Sequence, residues 1–181
     1  MTHLDTIPRS PGADDDASGV ALLLELARWV RNYRIPVGVH FLFLGAEEKV
    51  PDYDKGRFFS SEQYIDYQMK IGLDFLDGVI MVDKVGVGKH FQVLQIDSTK
   101  TDLTNKLVQF AKTLNLPLEC KVINRFQKSM PFEDAGLPTA WLEWSPDPNL
   151  DTSKDTPDEI SKENIEKTFR LLSDYLLTGG T

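Results

Sequence analysis

Cysteine is nearly missing from this 181-residue chain: Cys120 is the single example, so no disulfide can form within it. Histidine is almost as scarce, with only His3, His40 and His90. A zinc-type site therefore has to draw mostly on carboxylates. No apolar run approaches the ~20 residues that cross a bilayer, and the start lacks the basic-then-apolar pattern of a signal peptide. Positive charge is outnumbered, 20 Lys and Arg against 28 Asp and Glu, for a formal net charge of −8. That balance argues against nucleic acid and against an anionic membrane surface as partners. With one cysteine and no leader pattern, the chain as written is expected in the cytoplasm. No internal repeat or low-complexity tract interrupts it.

What is present is an ordinary globular composition, 41% hydrophobic and 27% charged, long enough for one domain over residues 1–181. Apolar residues recur at helical spacing from Ala17 to about Tyr33, with Val20, Leu23, Leu24, Ala27 and Val30 as the expected inner stripe. The run "VGVHFLFLGAEE" that follows reads as a strand over Val37 to Leu44 buried on both faces. "SSEQYIDYQMKIG" is the next expected helix, and "GVIMVDKVG" a short strand ending in Asp83. "FQVLQID", "LECKVIN" and "PTAWLEW" are further strands. "TDLTNKLVQFAKTLN" is an amphipathic helix with Leu103, Leu107, Phe110 and Leu114 on one stripe. A closing helix runs from about Ser161 to Leu177, with Ile165, Phe169, Leu172 and Leu176 inward. Strands alternating with helices predict an α/β three-layer sandwich, a mixed, mainly parallel sheet with helices on both faces.

One stretch does not fit a purely structural account. "PGADDDASGV" sets Asp14, Asp15 and Asp16 side by side before a helix. An N-cap and the helix dipole explain one aspartate or two. Three together repel unless a cation or several N–H donors sit among them, so capping and metal binding both stay open on this segment alone. In α/β sheets ligands bind beyond the carboxyl ends of the strands, and Glu47, Glu48 and Asp83 fall there. Taken singly, each candidate has a plainer explanation. "EE" suits a solvated loop, Asp83 a turn, His3 a disordered tail, and His40 a hydrogen-bonded core position. Trp141, Trp144 and Phe132 read as core aromatics.

The ordered set "HLD", "PGADDDASGVALLLELAR", "FLFLGAEE", "VDKVG", "PFEDAGLPTAWLEW" and "DTSKDTPDEI" resembles the M28-type zinc exopeptidases, a family of aminopeptidases that includes the glutaminyl cyclases. The resemblance implies a metal-dependent aminopeptidase acting on peptide N-termini through a pair of zinc ions. One ion would be held by His3 and Asp83, with Asp15 bridging to the other, which Glu48 would bind. Glu47 would be the general base, and Asp5 the carboxylate that orients His3. Such chemistry needs an activated water, a base for its proton and positive charge for the developing oxyanion.

Three departures from the pattern carry expectations of their own. The family's last ligand, a His before Asp-Thr, is here Asp151, and three oxygen ligands suit manganese or magnesium better than zinc. The chain starts two residues before His3, so the strands that precede it in the family are expected to be missing, and the uncovered apolar edge predicts a homo-oligomer. Ser129-Met130 replaces a Ser-Asp pair near the substrate pocket. Two rival functions follow: a glutaminyl-cyclase-like transferase using one ion, and a non-catalytic binding or assembly module.

Overall fold

The computed structural model describes residues 1–48, 58–71, 76–96, 102–123 and 131–180. Expected element ends at Gly72, Asp97, Thr101 and Asn124, and the Ser129-Met130 pair, lie outside the described residues.

The strands are β1 (Thr2–His3), β2 (Phe43–Leu44), β3 (Val79–Val82), β4 (His90–Ile96), β5 (Leu118–Ile123) and β6 (Thr139–Ser145). The helices are α1 (Gly19–Val30), α2 (Phe59–Ile71), α3 (Asp102–Thr113), α4 (Pro131–Asp134) and α5 (Lys162–Leu177). One sheet has the order β3-β6-β4-β5, parallel except between β4 and β6. β1 pairs in parallel with β2. Met1 then joins the two sheets: its carbonyl accepts from Val82 N–H at 2.8 Å and its nitrogen donates to Ile80 O at 2.6 Å.

Alternation along the strands makes two cores, one on each face. Val82, Phe91, Val93, Ala140, Leu142 and Trp144 join α1, α3 and α5 on one side, where the Phe91 and Trp144 rings stack at 4.8 Å. Val79, Met81, Leu94 and Trp141 face α2 and α4 on the other, around the fully buried Phe132. This is the three-layer arrangement expected. Among the described residues no helix is long and apolar enough to cross a membrane.

Three expectations are corrected. The run Val37 to Leu44 is a strand only at Phe43–Leu44, and its side chains are half-buried or exposed rather than covered on both faces. It lies at the end of the sheet with β1 as its one pairing partner among the described residues, so only one side of it is packed. His40 is exposed rather than a core histidine. In α1 the inner residues are Leu22, Leu23 and Leu26, and Leu24 faces solvent at 52%. The helix start sets that rotation: a methyl on Gly19 would collide with the Asp16 carboxylate and approach Thr2 Oγ1 to 2.7 Å, so α1 is docked by its first residue against β1.

Candidate metal centre

The three aspartates occupy a tight turn, Ala13–Ser18, and all are buried. They do three different things. Asp16 collects donors from three elements: the Thr2 hydroxyl and His3 N–H (3.2 Å) on one oxygen, Gly19 N–H (3.2 Å) and Lys84 N–H (3.3 Å) on the other. With both oxygens engaged, Asp16 ties β1, α1 and the end of β3 together and has little left for a cation. Asp14 Oδ1 accepts Gly86 N–H at 2.6 Å, and burial pushes its pKa up to about 7. Asp15 alone turns into the cavity. Its Oδ1 lies 3.1 Å from His3 Nε2 but off the line of any hydrogen-bond donor.

The main chain of this turn is gripped from the far end of the chain. Asp155, 1% exposed, accepts Asp14 N–H at 2.7 Å and Asp15 N–H at 3.3 Å. The sequence reading missed this residue; the "DT" in "SKDTP" was its only signal.

His3 is aimed by Asp5, though not in the way expected. Nδ1 lies 2.8 Å from the Asp5 main-chain oxygen, and the Asp5 carboxylate is 3.7 Å away. A carbonyl only accepts, so Nδ1 is the donor there, and Nε2 is the nitrogen a cation could take by displacing its proton. Nε2 faces Asp15 Oδ1, Asp83 Oδ1 at 3.8 Å and Glu48 Oε1 at 4.0 Å. Burial opposes a charge on His3, but Asp15, Asp5 and Asp83 outweigh it and push its pKa far upward. The Asp5 carboxylate instead accepts Glu47 N–H (3.1 Å) and Glu48 N–H (2.9 Å), fixing the acid pair at the end of β2. Burial works against ionisation of Asp5, yet His3 and these two amides hold its pKa down at about 2.

Glu47 is 3% exposed, and burial raises its pKa. Both of its oxygens are held by Ser61 in the first turn of α2: Oε1 by the N–H at 2.7 Å and Oε2 by the hydroxyl at 2.6 Å. Ser61 was also missed; a serine opening a helix after the acid pair was the available sign. Asp83 ends β3, and its Oδ2 accepts Lys84 Nζ at 2.8 Å. Asp151 stands apart. It is exposed, has φ 62°, and lies on the rim of a cavity of about 480 Å³ whose floor carries His3, Asp15, Glu47, Glu48 and Asp83. Among the described residues the metal-capable groups contain His3, Asp15 and Glu48, or His3 and Asp83 with Asp16, and neither contains Asp151.

One imidazole nitrogen among carboxylates, with a buried aspartate oxygen that no donor satisfies, fits a divalent cation. Such a cluster at the carboxyl ends of a mainly parallel, helix-covered sheet defines a candidate metal centre in an α/β fold. Residues 1–176 match Peptidase family M28, and the chain belongs to that family. Among its relatives is Aminopeptidase YwaD of Bacillus subtilis, 25% identical over 182 residues that cover 94% of this chain and 38% of that protein. The chain thus spans well under half of that relative's length. An aminopeptidase from Aneurinibacillus sp. strain AM-1 superposes with a TM-score of 0.79 at 27% identity, covering 96% of this chain and 42% of that one. A zinc aminopeptidase from Bacillus subtilis gives a TM-score of 0.83 at 24% identity over 98% of this chain and 45% of its own. The fold is shared by a Porphyromonas gingivalis glutaminyl cyclase, with a TM-score of 0.81 at 21% identity over 99% of this chain and 70% of that one.

Proposed function

We propose that the chain carries the catalytic centre of a zinc-dependent aminopeptidase that hydrolyses N-terminal peptide bonds. The observation that supports it best is the convergence of His3 Nε2, Asp15 Oδ1, Glu48 Oε1 and Asp83 Oδ1 beside a buried Glu47. These four residues are the zinc ligands in this reading. Zinc bound there supplies an acidified water and a Lewis acid for the scissile carbonyl.

Glu47 is the general base: it takes the proton of the attacking water and returns it to the leaving amine. Ser61 fixes the direction of that carboxylate, and Asp5 fixes both His3 and the acid pair. The apolar wall of the cavity, with Met81, Leu94 and Trp141, receives the side chain of the substrate's first residue. Asp151 at the rim supports at most a loosely held second ion, manganese or magnesium before zinc.

The test pairs two neighbours. In zinc-loaded protein assayed on aminoacyl p-nitroanilides, Glu47→Gln is expected to lower kcat by about 10²–10⁴-fold with zinc content unchanged. Glu48→Gln is expected to lose zinc. Equal zinc loss in both rejects this division of roles. Ammonia released from an N-terminal glutamine peptide, with no p-nitroaniline formed, would instead identify a glutaminyl-cyclase-like transferase.

A further inference from the structure

The sheet ends in β5, which has β4 as its one pairing partner among the described residues. Among those residues, its other edge presents backbone donors and acceptors open to a further strand. Register with β4 sorts the side chains: Cys120 lies beside Val93 and Val122 beside Gln95. Leu118, Cys120 and Val122 therefore share the α3 face, and Glu119 and Lys121 the opposite one. Leu118 is buried in the core with Leu107 and Ala111 of α3. Glu119, Cys120, Lys121 and Val122 are exposed, Val122 at 64%. Neither Glu119 nor Lys121 takes part in an ion pair among the described residues.

We propose that β5 is a self-recognition edge: two copies of this chain pair antiparallel through it, with the two-fold axis at Cys120. The local sequence carries the register. In "LECKV" the residues flanking Cys120 are opposite in charge, and those flanking the charges are both apolar. An antiparallel pair centred on Cys120 sets Glu119 of each copy opposite Lys121 of the other, and Val122 opposite Leu118. Opposite charges facing each other across such a pair stabilise it, and like charges destabilise it. The neighbouring registers, centred on Glu119 or on Lys121, put two glutamates or two lysines face to face. A lysine on an edge strand ordinarily keeps other strands away. Here a glutamate two residues away answers it, and exposed Val122 gains an apolar neighbour.

This edge is at the opposite end of the sheet from β2, so the contact is separate from any made there. It also reaches the functional cavity, because Lys121 and Ile123 line its wall. Pairing brings Glu119 of the second copy against that wall, so each cavity gains a carboxylate from its neighbour. The contact needs no metal and stands independently of the metallopeptidase reading.

The experiment is oxidation by diamide at increasing protein concentration, read on non-reducing gels, beside sedimentation of the reduced protein. Directly opposed residues of an antiparallel pair have Cα atoms about 4.5–5.5 Å apart, within the roughly 4.4–6.8 Å that a disulfide spans. Cys120 is thus expected to form a covalent dimer. In Cys120→Ser/Val122→Cys the two thiols lie about 13 Å apart along the strands and should not bridge. Glu119→Lys and Lys121→Glu each make both attractive pairs repulsive and should weaken association by about tenfold or more. Glu119→Lys/Lys121→Glu restores opposite charges and should recover it. Equal bridging by the two cysteines, a reduced dimer that Cys120 does not bridge, a monomer at every concentration, or a double variant as weak as the single ones overturns the proposal. The two cysteine measurements decide by themselves if a charge variant does not fold.

Discussion

Deleting one hydroxyl, Ser61→Ala, separates positioning of the base from binding of the metal. The Ser61 Oγ–H to Glu47 Oε2 distance of 2.6 Å is that of a charge-assisted hydrogen bond, and both residues are buried, so bulk water cannot replace it. Bonds of this type contribute about 1.5–3 kcal/mol. Lost from the transition state, that corresponds to a roughly 10- to 150-fold drop in kcat, at about 1.36 kcal/mol per tenfold. The loss stops short of the Glu47→Gln effect because Ser61 N–H still holds Oε1 at 2.7 Å.

KM and zinc content should stay constant, since Ser61 reaches neither substrate nor the proposed ligands. Burial already raises the Glu47 pKa and the Ser61 bonds lower it. Their partial removal raises it further, and the base must be ionised to work, so the acid limb of the pH–kcat profile moves to higher pH. Ser61→Thr, which keeps the hydroxyl, should recover most of the rate. The measurement is steady-state hydrolysis from pH 5 to 9 with zinc analysis of each sample. An unchanged kcat in folded Ser61→Ala, or zinc lost in step with activity, would refute the positioning role.

Asp14 makes stability depend on pH in the opposite sense from a salt-bridged acid. Burial lifts its pKa from 3.8 to about 7, so the folded state holds a proton that the unfolded state releases, and stability falls as pH rises from about 4 to about 7. Asp14→Asn can keep the Gly86 bond without the charge and should flatten urea-unfolding stability over that window by a few kcal/mol; a slope identical to wild type would assign the effect elsewhere. Self-association is expected through the β2 end of the sheet, where Val37 to Leu42 continue half-covered beyond the paired residues. Light scattering at increasing concentration should show dimer or larger, and a clean monomer at high concentration would count against it.

The layer arrangement was legible because each strand leaves a period-two or continuous apolar mark and each helix a stripe. The acids at strand ends could be found for the same reason: Glu47, Glu48 and Asp83 follow apolar runs directly. What periodicity does not encode is rotation and distance. The inner face of α1 is turned because Gly19 must lie against Asp16 and Thr2, a contact between residues far apart in sequence. Which aspartate of the three turns inward depends on donors from β1, α1 and the end of β3, none of which a local reading supplies. Ser61 and Asp155 escaped notice because serine at a helix start and aspartate in a polar loop are common, and only the fold shows what they hold. Lys84 follows Asp83 directly, yet an ion pair between adjacent residues becomes conspicuous only once Glu143 closes in from β6.

The grip of Asp155 on the aspartate turn also sets an order of events during synthesis. Ala13, Asp14 and Asp15 near the start all give their backbone amides to this one residue about 140 positions later, and Ser10 Oγ adds a 3.4 Å contact. A ribosome adding about 5–20 residues per second needs on the order of ten seconds to connect the two. For that interval the turn's amides are left to solvent, and the Asp155 bonds that hold Asp15 in place are not yet made. Under the metallopeptidase reading, the ligand set is therefore complete only after Asp155 has emerged and closed on the turn.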